Sequence, residues 1–230
     1  MESFDKYAES YSLDLDKVLS KNIGGDSSYF SEYKIRVLKN IIENRDLSPK
    51  RVLDFGCGIG KNTRLIKKIL QHTEVIGIDI SEKSLDQARK YSQQEIKYLQ
   101  MLNNDRLPLE SCTFDIIFIS NVFHHIKFDL HSKIVDELYR VLKKGGLLIM
   151  FEHNTLNPIT RKIVSECEFD RDAKLLNYAY SKNLFKKAGF SYVSCRFILF
   201  IPPFLRKISC IDKMLWFVPL GGQYYIESYK

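Results

Sequence analysis

Apolar residues recur at helical spacing from Ser28 to Ile42, at Phe30, Tyr33, Val37, Leu38, Ile41 and Ile42, and predict a helix that Pro49 separates from the next element. The pattern then changes. Arg51 to Phe55 is a short apolar run entering glycines, Lys61 to Leu70 returns to helical spacing, and Glu74 to Ile80 is again strand-like, so these three pieces read as a βαβ unit. Ser81 can cap a helix carrying Leu85 and Ala88, after which Ile96 to Gln100 and Phe114 to Ser120 read as a third and a fourth strand. A further helix carries Ile134, Val135, Leu138 and Leu142. It is expected to stop at Lys143-Lys144-Gly145-Gly146, because cations and glycine suit a helix C-terminus, and to lead into a strand from Leu147 to Glu152. A helix from Ser181 to Ala188, a strand from Ser191 to Ile201, a helix-like stretch from Phe204 to Phe217 and a last strand from Gln223 to Tyr229 complete the chain.

Strands fed through helices make right-handed parallel crossovers, and near-continuous apolar strands such as DIIFIS are the kind that helices cover on both faces. The expected fold is a doubly wound α/β sheet. The chain divides into an N-terminal helical piece, residues 1–48, and one α/β domain, residues 49–230, with an insertion at about 155–180. No repeat or low-complexity tract interrupts this organisation.

Composition narrows the class without choosing a function. In 230 residues, 45% hydrophobic and 27% charged exclude disorder, and the longest apolar run, Phe197 to Leu205, is broken by Pro202 and Pro203 and falls far short of the roughly 20 residues that span a bilayer. The opening MESFDKYAESY has no apolar core of a secretory signal, which makes the cytoplasm the expected compartment. Cysteines 57, 112, 167, 195 and 210 form no CxxC pair and show no zinc spacing, so no metal is expected and reduced core thiols are. The net charge of +7 is uneven: −2 over residues 1–49, +3 over 50–160 and +6 over 161–230. Nucleic acid, anionic lipid or an acidic small molecule could each answer such a charge.

The chemistry is carried by Val52-Leu53-Asp54-Phe55-Gly56-Cys57-Gly58-Ile59-Gly60, a strand running into a glycine-rich turn and then a helix. Glycines admit positive φ and close ligand approach, and the helix start presents free N–H groups. Asp79, at the end of the second strand, stands where a carboxylate accepts hydrogen bonds from both hydroxyls of a ribose. The spacing is G-x-G-x-G. A dinucleotide fingerprint would need its third glycine where Lys61 stands.

With Asp54 ahead of it, the segment resembles the first motif of class I S-adenosylmethionine-dependent methyltransferases, D-x-G-x-G-x-G, of the small-molecule, type 11-like group. Further likeness runs in order over about residues 1–190. The resemblance implies a Rossmann-like sheet of seven strands, mostly parallel with the last antiparallel, and S-adenosyl-L-methionine as cofactor. It implies that Gly56, Gly58 and Gly60 wrap the methionyl end, with Asp54 near its ammonium, Cys57 within the loop as a small packing residue, and Asp79 and the adjoining Ile80 at the ribose. Asn103-Asn104 resembles the segment that holds adenine, and Ser120 and Asn121, closing the fourth strand, are implied neighbours of the methyl donor. Phe4-Asp5-x-x-Ala8-x-x-Tyr11 resembles an N-terminal motif that makes Tyr11 a candidate lid residue; an ordinary amphipathic helix face is the alternative.

Of the pair just after the fourth strand, His124 and His125, one can pack against the sheet while the other lines a helix start, and His125 is the candidate for catalysis. Glu152-His153-Asn154 falls at the carboxyl edge where an acceptor must lie. His153 either serves as a general base or, with Asn154, caps a helix begun by Asn157 and Pro158. The insertion is expected to cover the acceptor. The aromatic C-terminal block with Arg206-Lys207 either completes the sheet or forms an apolar acceptor pocket or lip at anionic lipid.

The expected function is methyl transfer to the oxygen, nitrogen or carbon of a small acceptor, hydrophobic ones included, such as a metabolite, sugar, quinone or lipid precursor. Peripheral membrane contact is left open, and oligomeric state is not indicated. A nucleic-acid methyltransferase would show N-P-P-Y or a denser basic stripe, and neither is present. A binding protein without catalysis would hold S-adenosylmethionine and never yield S-adenosylhomocysteine.

Overall fold

The computed structural model describes residues 11–92, 95–102, 106–205, 212 and 214–230, with side chains from residue 14 onward. Two helices, α1 (Tyr11–Ile23) and α2 (Ser27–Asn44), precede β1 (Arg51–Phe55), α3 (Lys61–Ile69), β2 (Glu74–Asp79), α4 (Glu82–Tyr91) and β3 (Lys97–Gln100). Next come β4 (Phe114–Ser120), α5 (Phe128–Val141), β5 (Leu142–His153), α6 (Pro158–Glu166), α7 (Tyr178–Lys187), β6 (Tyr192–Ile198) and β7 (Gln223–Tyr229). They form one seven-stranded sheet in the order β3-β2-β1-β4-β5-β7-β6. All pairs are parallel except those of β7, which runs antiparallel to both β5 and β6.

Alternation along the strands fills two cores. Leu53, Ile117, Ile119, Leu148 and Met150 face one side with Ile134, Leu138 and Phe185 of α5 and α7. Val52, Ile116, Phe118, Ile149 and Phe151 face the other, against Leu38, Ile41 and Ile42 of α2 and Ile66 of α3. A parallel sheet buried on both faces needs apolar residues at nearly every position, which explains the uninterrupted runs in the sequence. α2 is therefore a wall of the core, whereas α1 lies over the carboxyl edge of the sheet.

Three expected boundaries are corrected. Lys143-Lys144-Gly145-Gly146 is not a helix stop: α5 ends at Val141, β5 begins at Leu142, and the register slips between Phe114 and Ile116. Lys143 pairs with Asp115 at 2.7 Å, and Gly145, at φ +76°, donates its N–H to the Lys230 carbonyl, so these residues extend the sheet. The sixth strand ends at Ile198, because Leu199 takes φ +63° ahead of Pro202 and Pro203. Nor does Phe204 to Phe217 form an α-helix among the described residues. There the Trp216 carbonyl accepts from Phe197 N–H and the Asp212 carboxylate from Ile201 N–H.

Candidate functional site

At the carboxyl edge of the sheet lies a cavity of about 580 Å³. One end is built from backbone. Gly56, Cys57, Gly58 and Ile59 line it, together with Asp79, Ile80 and Met101. The glycines are not equivalent. A Cβ on Gly58 would meet nothing within 4 Å, so this position, at φ +51°, faces the open cavity; at Gly60 a Cβ would stand 2.5 Å from the Tyr98 hydroxyl and 2.9 Å from Ala88. Gly60 thus serves packing under the loop and does not line the cavity.

Asp79 accepts the N–H groups of Gly58 at 2.8 Å and Ser81 at 2.9 Å, which fixes its carboxylate at the rim. Burial raises its pKa, and these N–H bonds counter part of the rise. Asp54 is placed differently from its expected role: it is 1% exposed, lies beneath the loop outside the cavity lining, and accepts the Thr63 hydroxyl at 2.6 Å. Burial pushes its carboxyl up to about 7, against the Thr63 bond. Its role here is to tie β1 to α3 and hold the loop. Cys57 is buried with its thiol pushed up by burial and by Asp54 and Asp79, consistent with a packing residue. Asn103 and Asn104 lie outside the described residues, as does the side chain of Tyr11, whose backbone opens α1.

The other end is built from side chains that converge from distant segments. Ser120, Asn121, His125 and His153 all line it, and so do His124, Asp170, Lys34 and Gln223. His124 is the hub. Its Nδ1 lies 2.6 Å from Glu152 Oε2 and its Nε2 3.5 Å from Asp170 Oδ1, while His125 Nε2 lies 3.3 Å from the same Asp170 oxygen. Glu152 Oε1 accepts the N–H groups of Val122 and Phe123 at 3.1 and 2.8 Å. Burial opposes charge on His124, but Glu152 and Asp170 outweigh it and raise its pKa to about 9. Burial alone would raise Asp170, yet the two histidines hold it well below the carboxylate range. His153 goes the other way: burial, then the charge on His124, lowers it to about 4, leaving a neutral imidazole. His125 is also lowered, chiefly by burial.

The alternative reading of His153 and Asn154 as caps does not hold. Asn157 caps α6 by accepting Thr160 N–H at 2.9 Å, and Asn154 instead donates to the carbonyls of Pro219 and Gly221. The fold also brings His124, His125 and Asp170 together with ligand-type atoms within 4.8 Å of one another, a group with the composition of a metal site that no spacing in the sequence displays. Asp170 and Lys34 carried no expectation from the sequence, and Glu152 was placed at this edge without its bond to His124. Lys34 did leave a signal, since it stands in helical register with Phe30, Leu38 and Ile41 on an apolar face.

Residues 53–150 match the profile of a family described as a methyltransferase domain. A demethylmenaquinone methyltransferase of Thermotoga maritima is 32% identical over 168 residues, covering 72% of this chain and 66% of that protein. Over its central residues the chain is thus similar to methyltransferases of this domain family. A sterol 24-C-methyltransferase of Saccharomyces cerevisiae is 26% identical over 190 residues, 77% of this chain and 46% of its own length. The match thus spans just under two thirds of the first relative and less than half of the second. The fold is shared with a solved SAM-dependent methyltransferase from Thermotoga maritima, at a TM-score of 0.71 and 21% identity over 100% of this chain and 98% of that one.

The family's cofactor is S-adenosylmethionine, and the backbone-built end fits it. The open face at Gly58 is space that a Cβ would invade, Asp79 presents a fixed acceptor at the cavity rim, and Ile80 and Met101 offer apolar surface beside it.

Proposed function

We propose that this methyltransferase-family protein transfers the methyl group of S-adenosylmethionine to a small apolar acceptor. The observation that carries this is one continuous cavity with a backbone-built end that fits the donor and a side-chain end rich in acid–base groups. Its volume falls in the range of about 300–1,000 Å³ common for sites that hold small ligands. When bound, the cofactor supplies a methyl group activated by a sulfonium centre. The chain's own residues do the rest: Gly56 to Ile59 and Asp79 orient the donor, with the implied adenine contact at Asn103 and Asn104. Ser120 and Asn121, at the end of β4, line the side-chain end. His125 and His153, held as neutral imidazoles, are candidate acid–base groups at the acceptor end.

Helix α1 acts as a lid in this reading. Leu15, Leu19 and Ile23 roof the cavity, and Lys21 and Asn22 reach Glu166 of α6 at 3.1 and 3.0 Å. Tyr11 opens this helix. Excluding water over a reacting centre strengthens every polar contact within it. The insertion contributes Ile159, Ile163 and Phe169 to the acceptor end, an apolar lining that agrees with relatives named for demethylmenaquinone and a sterol.

The acceptor is drawn from an anionic lipid surface. Leu156, Ile159, Trp216, Phe217 and Leu220 are exposed on two segments joined by the Asn157 bond to the Leu220 carbonyl, with Arg161 and Lys162 exposed beside them. No helix among the described residues is long and apolar enough to cross a membrane. The test supplies methyl-labelled donor with a total lipid extract, and with the aqueous extract in parallel. Label is expected in the lipid fraction with stoichiometric S-adenosylhomocysteine, and the protein is expected to float with anionic vesicles at low salt. Absence of S-adenosylhomocysteine above the extract-free control in both arms would falsify methyl transfer; label in the aqueous arm alone removes the lipid assignment.

A further inference from the structure

The apolar face of α2 carries one residue foreign to it. Lys34 is 4% exposed, lines the cavity, and donates from Nζ to Ser120 Oγ at 2.8 Å, with the Phe151 ring centroid 5.9 Å away. An ammonium has three donors, and among the described residues no carboxylate pairs with this one. The carboxylates at this end are already engaged. Glu152 is shared by two backbone N–H groups and His124, and Asp170 is held between His124 and His125. Burying a charge is costly unless something answers it, so a dry ammonium at a cavity wall is where a ligand's negative oxygen gains most.

We propose that Lys34 meets the reacting oxygen of the acceptor, which is therefore an acidic O–H compound: a phenol, an enol or a carboxylic acid held as its oxyanion. This rests on the methyl-transfer reading and narrows it to O-methylation. The proton balance is internal. The acceptor's proton passes from oxygen to the neutral amine of Lys34, leaving an ammonium against an oxyanion, and no further reactant is needed. Burial lowers Lys34 to about 7, with Glu152 opposing, so both forms of the amine are present at neutral pH. Ser120, Asn121, Gln223 and the neutral His153 line this end as uncharged polar groups, and its negative side chain, Asp170, is held by His124 and His125.

The probe is 4-nitrophenol, yellow as the anion and colourless as the acid, added to protein saturated with S-adenosylhomocysteine at a pH below the free dye's own transition. Yellow colour is expected on binding. Lys34→Met should weaken dye binding about ten- to a hundredfold and abolish the colour while keeping S-adenosylhomocysteine affinity. In the unaltered protein, 4-nitroanisole, the neutral methyl ether, should fail to compete. Colourless binding, equal affinity in Lys34→Met, equal competition by 4-nitroanisole, or no saturable binding of the dye each overturns the proposal. Loss of S-adenosylhomocysteine binding overturns the methyl-transfer reading instead, and the dye titration still judges Lys34.

Discussion

The two ends of the cavity are made in opposite ways. At the donor end, five consecutive residues from Phe55 to Ile59 and one carboxylate, Asp79, supply most of the lining, with Ile80 and Met101 beside them, and what faces the ligand is largely main chain. At the acceptor end the key groups come from separate parts of the chain: Lys34 from α2, Ser120 from β4, His124 and His125 from the turn after it, Glu152 and His153 from β5, and Asp170 from the insertion. Backbone recognition is tolerant of surroundings and intolerant of a Cβ. A buried side-chain network is the reverse, since removing one member leaves another charged and unpaired.

This contrast can be broken most forcefully at Glu152. Glu152→Ala strands the charge of His124 in a site that is 1% exposed, and is expected to cost about 3–5 kcal/mol of folding stability in urea denaturation. At a temperature where the variant is still folded, donor affinity should be unchanged; loss of both together would show that the two ends are one unit.

Gly58→Val attacks the other end. The position demands φ +51° and opens on the cavity, so a branched side chain is strained and also fills ligand space. Calorimetry should show S-adenosylhomocysteine affinity falling by about 2–3 kcal/mol, or roughly 30- to 150-fold, with a much smaller change in denaturation midpoint. Unaltered affinity would remove the loop from cofactor binding.

A gentler perturbation is pH. The folded-state pKa of His124 is raised from 6.5 to about 9, so the stability it contributes is fully present below about 6.5 and is lost as pH rises through 9. Thermal unfolding of the intact protein should therefore show a decline across that window, and His124→Gln should flatten it. A decline of the same slope in the variant would assign it to other groups.

The sheet and the donor end were legible because both are written in local patterns. Short apolar runs between helically spaced segments located all seven strands, and Gly56, Gly58 and Asp79 sit in one contiguous stretch and the next strand end. Asp54 was found but its task was not, because only the packing of Thr63 against it shows that its carboxylate faces inward. His153 was legible at the end of a strand and His125 in the turn that follows one. Their electrostatics were not, since the charge settles on His124 through Glu152 and Asp170, residues 28 positions downstream and in a separate insertion. Among the described residues the helix expected from Phe204 is absent for a related reason: the Trp216 carbonyl and the Asp212 carboxylate are taken by the N–H groups of Phe197 and Ile201, which lie outside the stretch.

The position of β7 has a consequence for synthesis. Gln223–Tyr229 slides between β5 and β6, which otherwise share no edge, and it carries Gln223 to the cavity wall. A chain still emerging from the ribosome can therefore assemble the nucleotide-facing half early, yet it must keep the gap between β5 and β6 open until those residues arrive. Chaperones would meet this nascent polypeptide with two unpaired strand edges exposed at the half where substrate is later chosen.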